Sequence, residues 1–356
     1  MPEAIAGNRG RSIGLILLLA LLVGAAGYFL AFALDSEAGI LGAIVGLVIA
    51  AGIAAMTWFG GDQVILRSSG ARPLGANEES ELHDTVIELA YSAAIPVPAL
   101  WIIDSPALNA FATGRSPSTA SIAVTRGLID NLDGPELRGV LAHEMGHIKN
   151  RDTAFMTIAA AMLGALAALA EGARIMQYVP QRQTAYRKQN NQWIIFLLAA
   201  VLLLIAIPLS RLLYFMASRQ REFLADATSA YLTGFPDGLA RALQRIEGSS
   251  LRLMVNEPAA ALCIVNPRAQ NLTGEGLAGM FSTHPPTAQR IAVLRAMRDS
   301  SFASYEHAYQ SISGKSVLPP SVRTATDELP PASRKIERER PTDASPATEK
   351  RRRIGR

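Results

Sequence analysis

Two histidines four residues apart, His143 and His147, with Glu144 directly after the first, are the side chains best placed to do chemistry. On a helix that spacing puts both imidazoles on one face, about one turn apart. Two neutral imidazoles so placed can share one tetrahedral Zn²⁺, and Glu144 then lies beside the metal's open position. There it can take a proton from water whose pKa the ion lowers toward about 7. The chemistry implied is hydrolysis, with one zinc ion per chain as cofactor and Glu144 as general base.

Such a site takes three protein ligands, so one must come from elsewhere in the chain. Glu222 and Asp226 are four apart and share a helix face. Glu222 can ligate the metal while Asp226 accepts the other ring N–H of a ligand histidine and fixes its tautomer. On spacing alone Asp152 is a rival third ligand. A purely structural zinc site would be closed by four protein ligands, usually with cysteines, and the lone Cys263 is remote from the motif.

These groups need elements to position them. Asp133 and Glu136 have the spacing of a capping box, and Pro135 suits a first helical turn, so a helix carrying the histidines starts near Asp133. Glu78 to Ala94 has helical periodicity. Residues 99–103, 109–112 and 121–125 read as short strands, with Gly114 and Pro117 turning the chain between the last two. Two uncharged runs, 13–34 and 39–60, are each long enough to cross a bilayer and meet at an acidic turn. Arg9 and Arg11 before them, with Arg67 and Arg72 after, place both ends of this hairpin in the cytoplasm. A second pair of apolar runs, 153–170 and 193–215, flanks a basic loop; whether it spans or lies on the membrane, a pair returns the chain to the side it left.

The expected fold is therefore mainly α with a small β-sheet, plus two transmembrane or membrane-associated helical hairpins. The chain divides into a cytoplasmic N-terminus (1–12), a hairpin (13–60), a first catalytic segment (61–152), a second hairpin (153–215), a second catalytic segment (216–314) and a disordered basic tail (315–356). Hydrophobic residues make up 49% and aromatics 6%, the aliphatic bias of a chain with several lipid-embedded segments. The net charge of +4 resides largely in the tail, which argues against a nucleic-acid partner. The apolar runs hold almost none of the polar groups a transporter needs. A single cysteine forms no internal disulfide.

The segments His143-Glu144-Met145-Gly146-His147 through Asp152, Arg221-Glu222 through Asp226, Asn109 through Gly114, and Ser282 through Pro286 resemble the HtpX family of bacterial membrane zinc proteases, relatives of the CAAX prenyl proteases. The resemblance implies a zincin-like metalloprotease domain in which His143, His147 and Glu222 hold the metal and Glu144 is the base. It implies a multi-pass protein of the bacterial inner membrane with its catalytic domain in the cytoplasm. Quality control under stress, with misfolded or membrane proteins as substrates, is the implied role. A CAAX-type processing protease and a non-proteolytic zinc-binding membrane chaperone are the alternative readings. Asn109, Ala110, Phe111 and Ala112 suit either an ordinary strand or an edge that pairs with an extended substrate, and the resemblance favours the edge. His284 and Arg290 are candidate donors to an oxyanion, or a helix cap and a fold support. Phe223 stands where the family often has tyrosine, and the long tail lies outside its pattern.

Overall fold

The computed structural model describes residues 13–32 (except 15, 26, 29 and 30), 37–162 (except 76), 219–265 (except 256 and 261) and 285–323, with 164, 201 and 204. Its helices are α1 (Ile16–Ala25), α2 (Gly39–Ser68), α3 (Ser80–Ala93), α4 (Arg126–Asn131), α5 (Gly134–Lys149), α6 (Asp152–Met162), α7 (Arg219–Thr233), α8 (Pro236–Gly248), α9 (Glu257–Ala260), α10 (Thr287–Ala296), α11 (Phe302–Ser313) and α12 (Pro320–Arg323). Strands β1 (Ala71–Pro73), β2 (Ala99–Ile103), β3 (Ala110–Thr113) and β4 (Ser121–Thr125) form a mixed sheet in the order β1-β2-β4-β3. The description mainly helical with a small sheet therefore holds.

Helix α2 explains how the apolar part meets the rest. Its 30 residues average a hydropathy of 2.4, and among the described residues it is the one helix long and apolar enough to cross a membrane. At about 1.5 Å per residue it is roughly 45 Å long, well beyond the ~30 Å of a bilayer's hydrocarbon. The apolar run read from the sequence ends at 60, but the helix runs on to Ser68. Ile65 and Leu66 at its far end are buried against Trp101, Ile103 and Phe111 of the sheet. One rigid rod thus joins the apolar region to the sheet. Beside it, Leu19 and Val23 of α1 and Phe155, Ile158 and Met162 of α6 pack on Ala50 and Ile53. The contact with α1 is close: a side chain at Gly46 would meet the Val23 carbonyl at 2.5 Å. Of the second expected hairpin, α6 belongs to its first run and only residues 201 and 204 of its second are described.

The main core lies between α5, α7 and α8 on one side and α3 with the sheet on the other. Helix α5 begins as its sequence demands: Asp133 accepts the Glu136 amide at 2.9 Å, and Glu136 accepts the Asp133 amide at 3.1 Å. It packs against α7 at very short range. A Cβ at Gly146 would stand 3.2 Å from Ala225 Cα and from Thr228 Cβ. Ser229 also donates a hydrogen bond to the Gly139 carbonyl at 2.7 Å.

The boundary expected at 315 moves outward. Val317, Leu318 and Val322 are buried in the main core, because the Glu306 carboxylate accepts the amides of Val317 and Leu318 at 3.2 and 2.9 Å and folds that segment back. The remainder of the expected tail, 324–356, lies outside the described residues.

Candidate metal centre

Helix α5 presents the two imidazoles edge to face, with ring centroids 4.7 Å apart and Nε2 atoms separated by 3.2 Å. The close α5–α7 contact carries Glu222, in the first turn of α7, directly to them. Its Oε2 lies 3.7 Å from His143 Nε2 and its Oε1 3.6 Å from His147 Nε2. His143, His147 and Glu222 form a group that could hold a metal ion, with one ligand atom from each lying within 4.8 Å of the others. The separations also fit the donors. Ligands at ordinary zinc distances occupy tetrahedron corners about 3.3–3.6 Å apart.

Each imidazole is braced on its other nitrogen by a different carboxylate. Asp226, one turn after Glu222, accepts a hydrogen bond from His143 Nδ1–H at 3.0 Å. Asp226 is itself gripped by Arg290 of α10, Nε to Oδ2 at 2.9 Å and Nη2 to Oδ1 at 2.7 Å. All three are essentially inaccessible to solvent. Burial is the main force on His143 and pushes its pKa down to about 4, which keeps it neutral. Burial works against ionised Asp226 too, but the Arg290 charge and the hydrogen bonds from His143 and Arg290 override it and hold its pKa below the ordinary carboxylate range.

The second imidazole has another brace. Asp152 Oδ2 lies 3.4 Å from His147 Nδ1, and Arg221 stands 4.0 Å from the other carboxylate oxygen. Asp152 reaches this place because α5 ends at Asn150 and Arg151 adopts a left-handed conformation (φ 59°), turning the chain sharply into α6. Burial disfavours the His147 cation, yet the hydrogen bond with Asp152 and the charges of Glu222, Asp152 and Glu144 outweigh it, raising the pKa to about 9.

Glu144 is buried, and that burial, reinforced by Glu222, lifts its pKa to about 7 against the opposing influence of His147, the Ala112 N–H and Arg290. A carboxyl group poised near neutrality suits general acid–base work. The hydrogen bond from the Ala112 amide also puts strand β3 next to the site.

Strand β3 is an edge of the sheet, paired with β4 on one side, Phe111 opposite Ala123 and Thr113 opposite Ser121. Its N-terminal end is partly closed, since the Ile264 amide donates to the Ala110 carbonyl at 3.0 Å. Asn109, expected beside substrate, is engaged elsewhere: its Nδ2 donates to Val265 O at 2.9 Å and its Oδ1 accepts the Ala110 amide. The Arg290 guanidinium grips Asp226 and also places Nη1 3.8 Å from Glu222 Oε2, at the edge of the donor group. His284 lies outside the described residues. The sequence reading missed the brace made by Asp152 and Arg221. Its signal was an aspartate five residues after His147, just past the helix end.

Comparison with known proteins gives the class. The profile of Peptidase family M48 matches residues 76–298. The "Protease HtpX homolog" of Dictyoglomus turgidum is 36% identical over 298 residues, covering 83% of this chain and 94% of that protein. Its namesake from Streptococcus uberis is 38% identical over 303 residues, covering 83% and 99%. The crystal structure of S. mikatae Ste24p is similar at a TM-score of 0.44 and 18% identity, over 83% of this chain and 67% of that one. The class so defined is that of metalloproteases, hydrolases of peptide bonds. This chain belongs to peptidase family M48, among its HtpX proteases.

Proposed function

We propose that this protein is a membrane-anchored zinc endopeptidase that cleaves misfolded or membrane polypeptides at the cytoplasmic surface, with His143, His147 and Glu222 as ligands and Glu144 as general base. The observation that carries the reading is the convergence of these three donors from two helices at tetrahedral spacing, with Glu144 buried near enough to feel the charges of His147 and Glu222. When bound, the ion supplies a Lewis-acid charge that polarises a peptide carbonyl and acidifies water. Glu144 receives a proton from the attacking water at its carboxylate and passes it to the departing amine nitrogen. Asp226 and Asp152 hold the two rings in the tautomers that turn Nε2 inward. The edge position of β3 beside Glu144 supports approach of an extended chain, which would pair past the Ala110 amide and carbonyl, already engaged by Asn109 and Ile264. Arg67 and Arg72, at and just beyond the end of α2, support a cytoplasmic catalytic domain.

Glu144→Gln tests this in membranes. Zinc is expected to stay at one per chain, while cleavage of an unfolded casein substrate falls by about 10²–10⁴-fold, the worth of general-base catalysis. Undiminished cleavage by that variant would sink the mechanism.

A further inference from the structure

The loop that leaves strand β3 touches the apolar helices twice, and neither contact serves the metal. Thr157 of α6 lies 3.0 Å from Thr113 Oγ1 and accepts the Gly114 amide at 3.0 Å, all of them buried. The next residue, Arg115, donates to the Trp58 carbonyl of α2. Its guanidinium carbon stands 6.0 Å from the centre of the Trp58 ring and 5.4 Å from that of Phe59. The loop is thereby fixed at one level of α2.

That level has a distinct chemistry. Through Phe59 the helix exposes an apolar face, with Leu41, Ile44, Val48 and Met56 half or more accessible, Trp58 45% and Phe59 75%. Gly60, Gly61, Asp62 and Gln63 follow at once, so the apolar face gives way to polar sequence just past the two aromatics. Aromatic side chains at such a boundary sit at the headgroup level of a bilayer. Arg115 has five N–H donors, of which the Trp58 carbonyl takes one. Among the described residues it makes no ion pair with a carboxylate, unlike Arg72, Arg126, Arg138 or Arg290. A half-buried cation pinned on an aromatic pair, with donors to spare, is matched by phosphate.

We propose that Arg115 binds the phosphate of an anionic phospholipid headgroup, making the β3–β4 loop a lipid-contacting element that anchors the substrate edge to the bilayer surface. The inference rests on α2 being embedded in the membrane, as in the function proposed above. A cytoplasmic leaflet rich in anionic lipid would supply the ligand.

The full-length protein in nanodiscs provides the test. Cys263 is buried and is the single cysteine, so a nitroxide placed through Ser118→Cys labels the loop selectively. Its collisions with a lipid-soluble and a water-soluble relaxant are expected to report headgroup depth. Arg115→Gln should lower the phosphatidylglycerol retained over phosphatidylcholine by about fivefold, the worth of one cation at such a surface, with bound zinc unchanged. Arg67→Gln, at the end of the same helix, should leave that preference nearly intact. A label reporting bulk water while the protein resists carbonate extraction would overturn this inference alone. Extraction by carbonate would remove the membrane reading with it. Equal losses from both arginine variants would reduce the effect to general surface charge and also overturn it.

Discussion

The two imidazoles lie one helical turn apart yet stand against opposite walls. His143 faces the interior, where Asp226 and Arg290 close a buried, charge-compensated brace between α5, α7 and α10. His147 faces α6, where Asp152 holds it at longer range and Arg221 backs Asp152 from 4.0 Å. The difference shows in their protonation: His143 falls to about 4 and stays neutral, whereas His147 rises to about 9 and carries a proton at neutral pH. The inner wall is a buried, charge-compensated part of the core. The outer wall is built by the turn into an apolar helix and favours the protonated imidazole.

The strongest blow to the comparison is Asp226→Asn. It leaves Arg290 charged, 1% exposed and without its hydrogen-bonded carboxylate, with only Glu222 Oε2 3.8 Å away. Removing one partner of a buried pair costs about 3–5 kcal/mol. A marked fall in the thermal midpoint is therefore expected even in metal-free protein, and an unchanged midpoint would dissolve the inner wall. Asp152→Asn acts differently. Zinc affinity, read by chelator competition, should weaken about 10–100-fold. Metal-free stability at neutral pH should also fall, though less than in Asp226→Asn, because the raised His147 pKa lends some stability there.

The proton offers a finer probe. Because the folded pKa of His147 is raised, its imidazole is protonated below about 9 in the metal-free protein, and the metal must displace that proton. Apparent zinc affinity should rise about tenfold per pH unit between 7 and 8, and isothermal titration in two buffers should show close to one proton released by His147. In Asp152→Asn, where the hydrogen bond holding that proton is gone, the release should shrink. Ser301→Ala marks the small end of the scale. It removes the side chain that accepts the Ser304 amide at 3.0 Å at the start of α11, costs about 1 kcal/mol, and should leave zinc affinity untouched.

How much of this the sequence could show depends on where each contact lives. The capping box, the histidine spacing and the Glu222–Asp226 pair are local patterns, so helices α5 and α7 and the donors on them were legible. The three longer strands were readable from apolar runs bounded by turn residues. Strand β1 was not: Ala71, Arg72 and Pro73 lack a pattern, and they pair with β2 because an edge strand tolerates a proline. Asp152 was noticed as a donor, but its task depends on Arg151 turning back, a tertiary outcome that the side-chain pattern does not encode. The burial of Val317, Leu318 and Val322 likewise depends on Glu306, more than ten residues upstream. Composition alone assigned that segment to the tail.

The most direct measurement of the central claim is zinc retained per chain after dialysis against a weak chelator, in Glu222→Ala and Asp152→Ala side by side. Glu222→Ala is expected to lose its tightly held zinc, while Asp152→Ala keeps one ion with weakened affinity. Stoichiometric, tightly held zinc in Glu222→Ala, with loss in Asp152→Ala, would contradict the ligand assignment and make Asp152 the third donor.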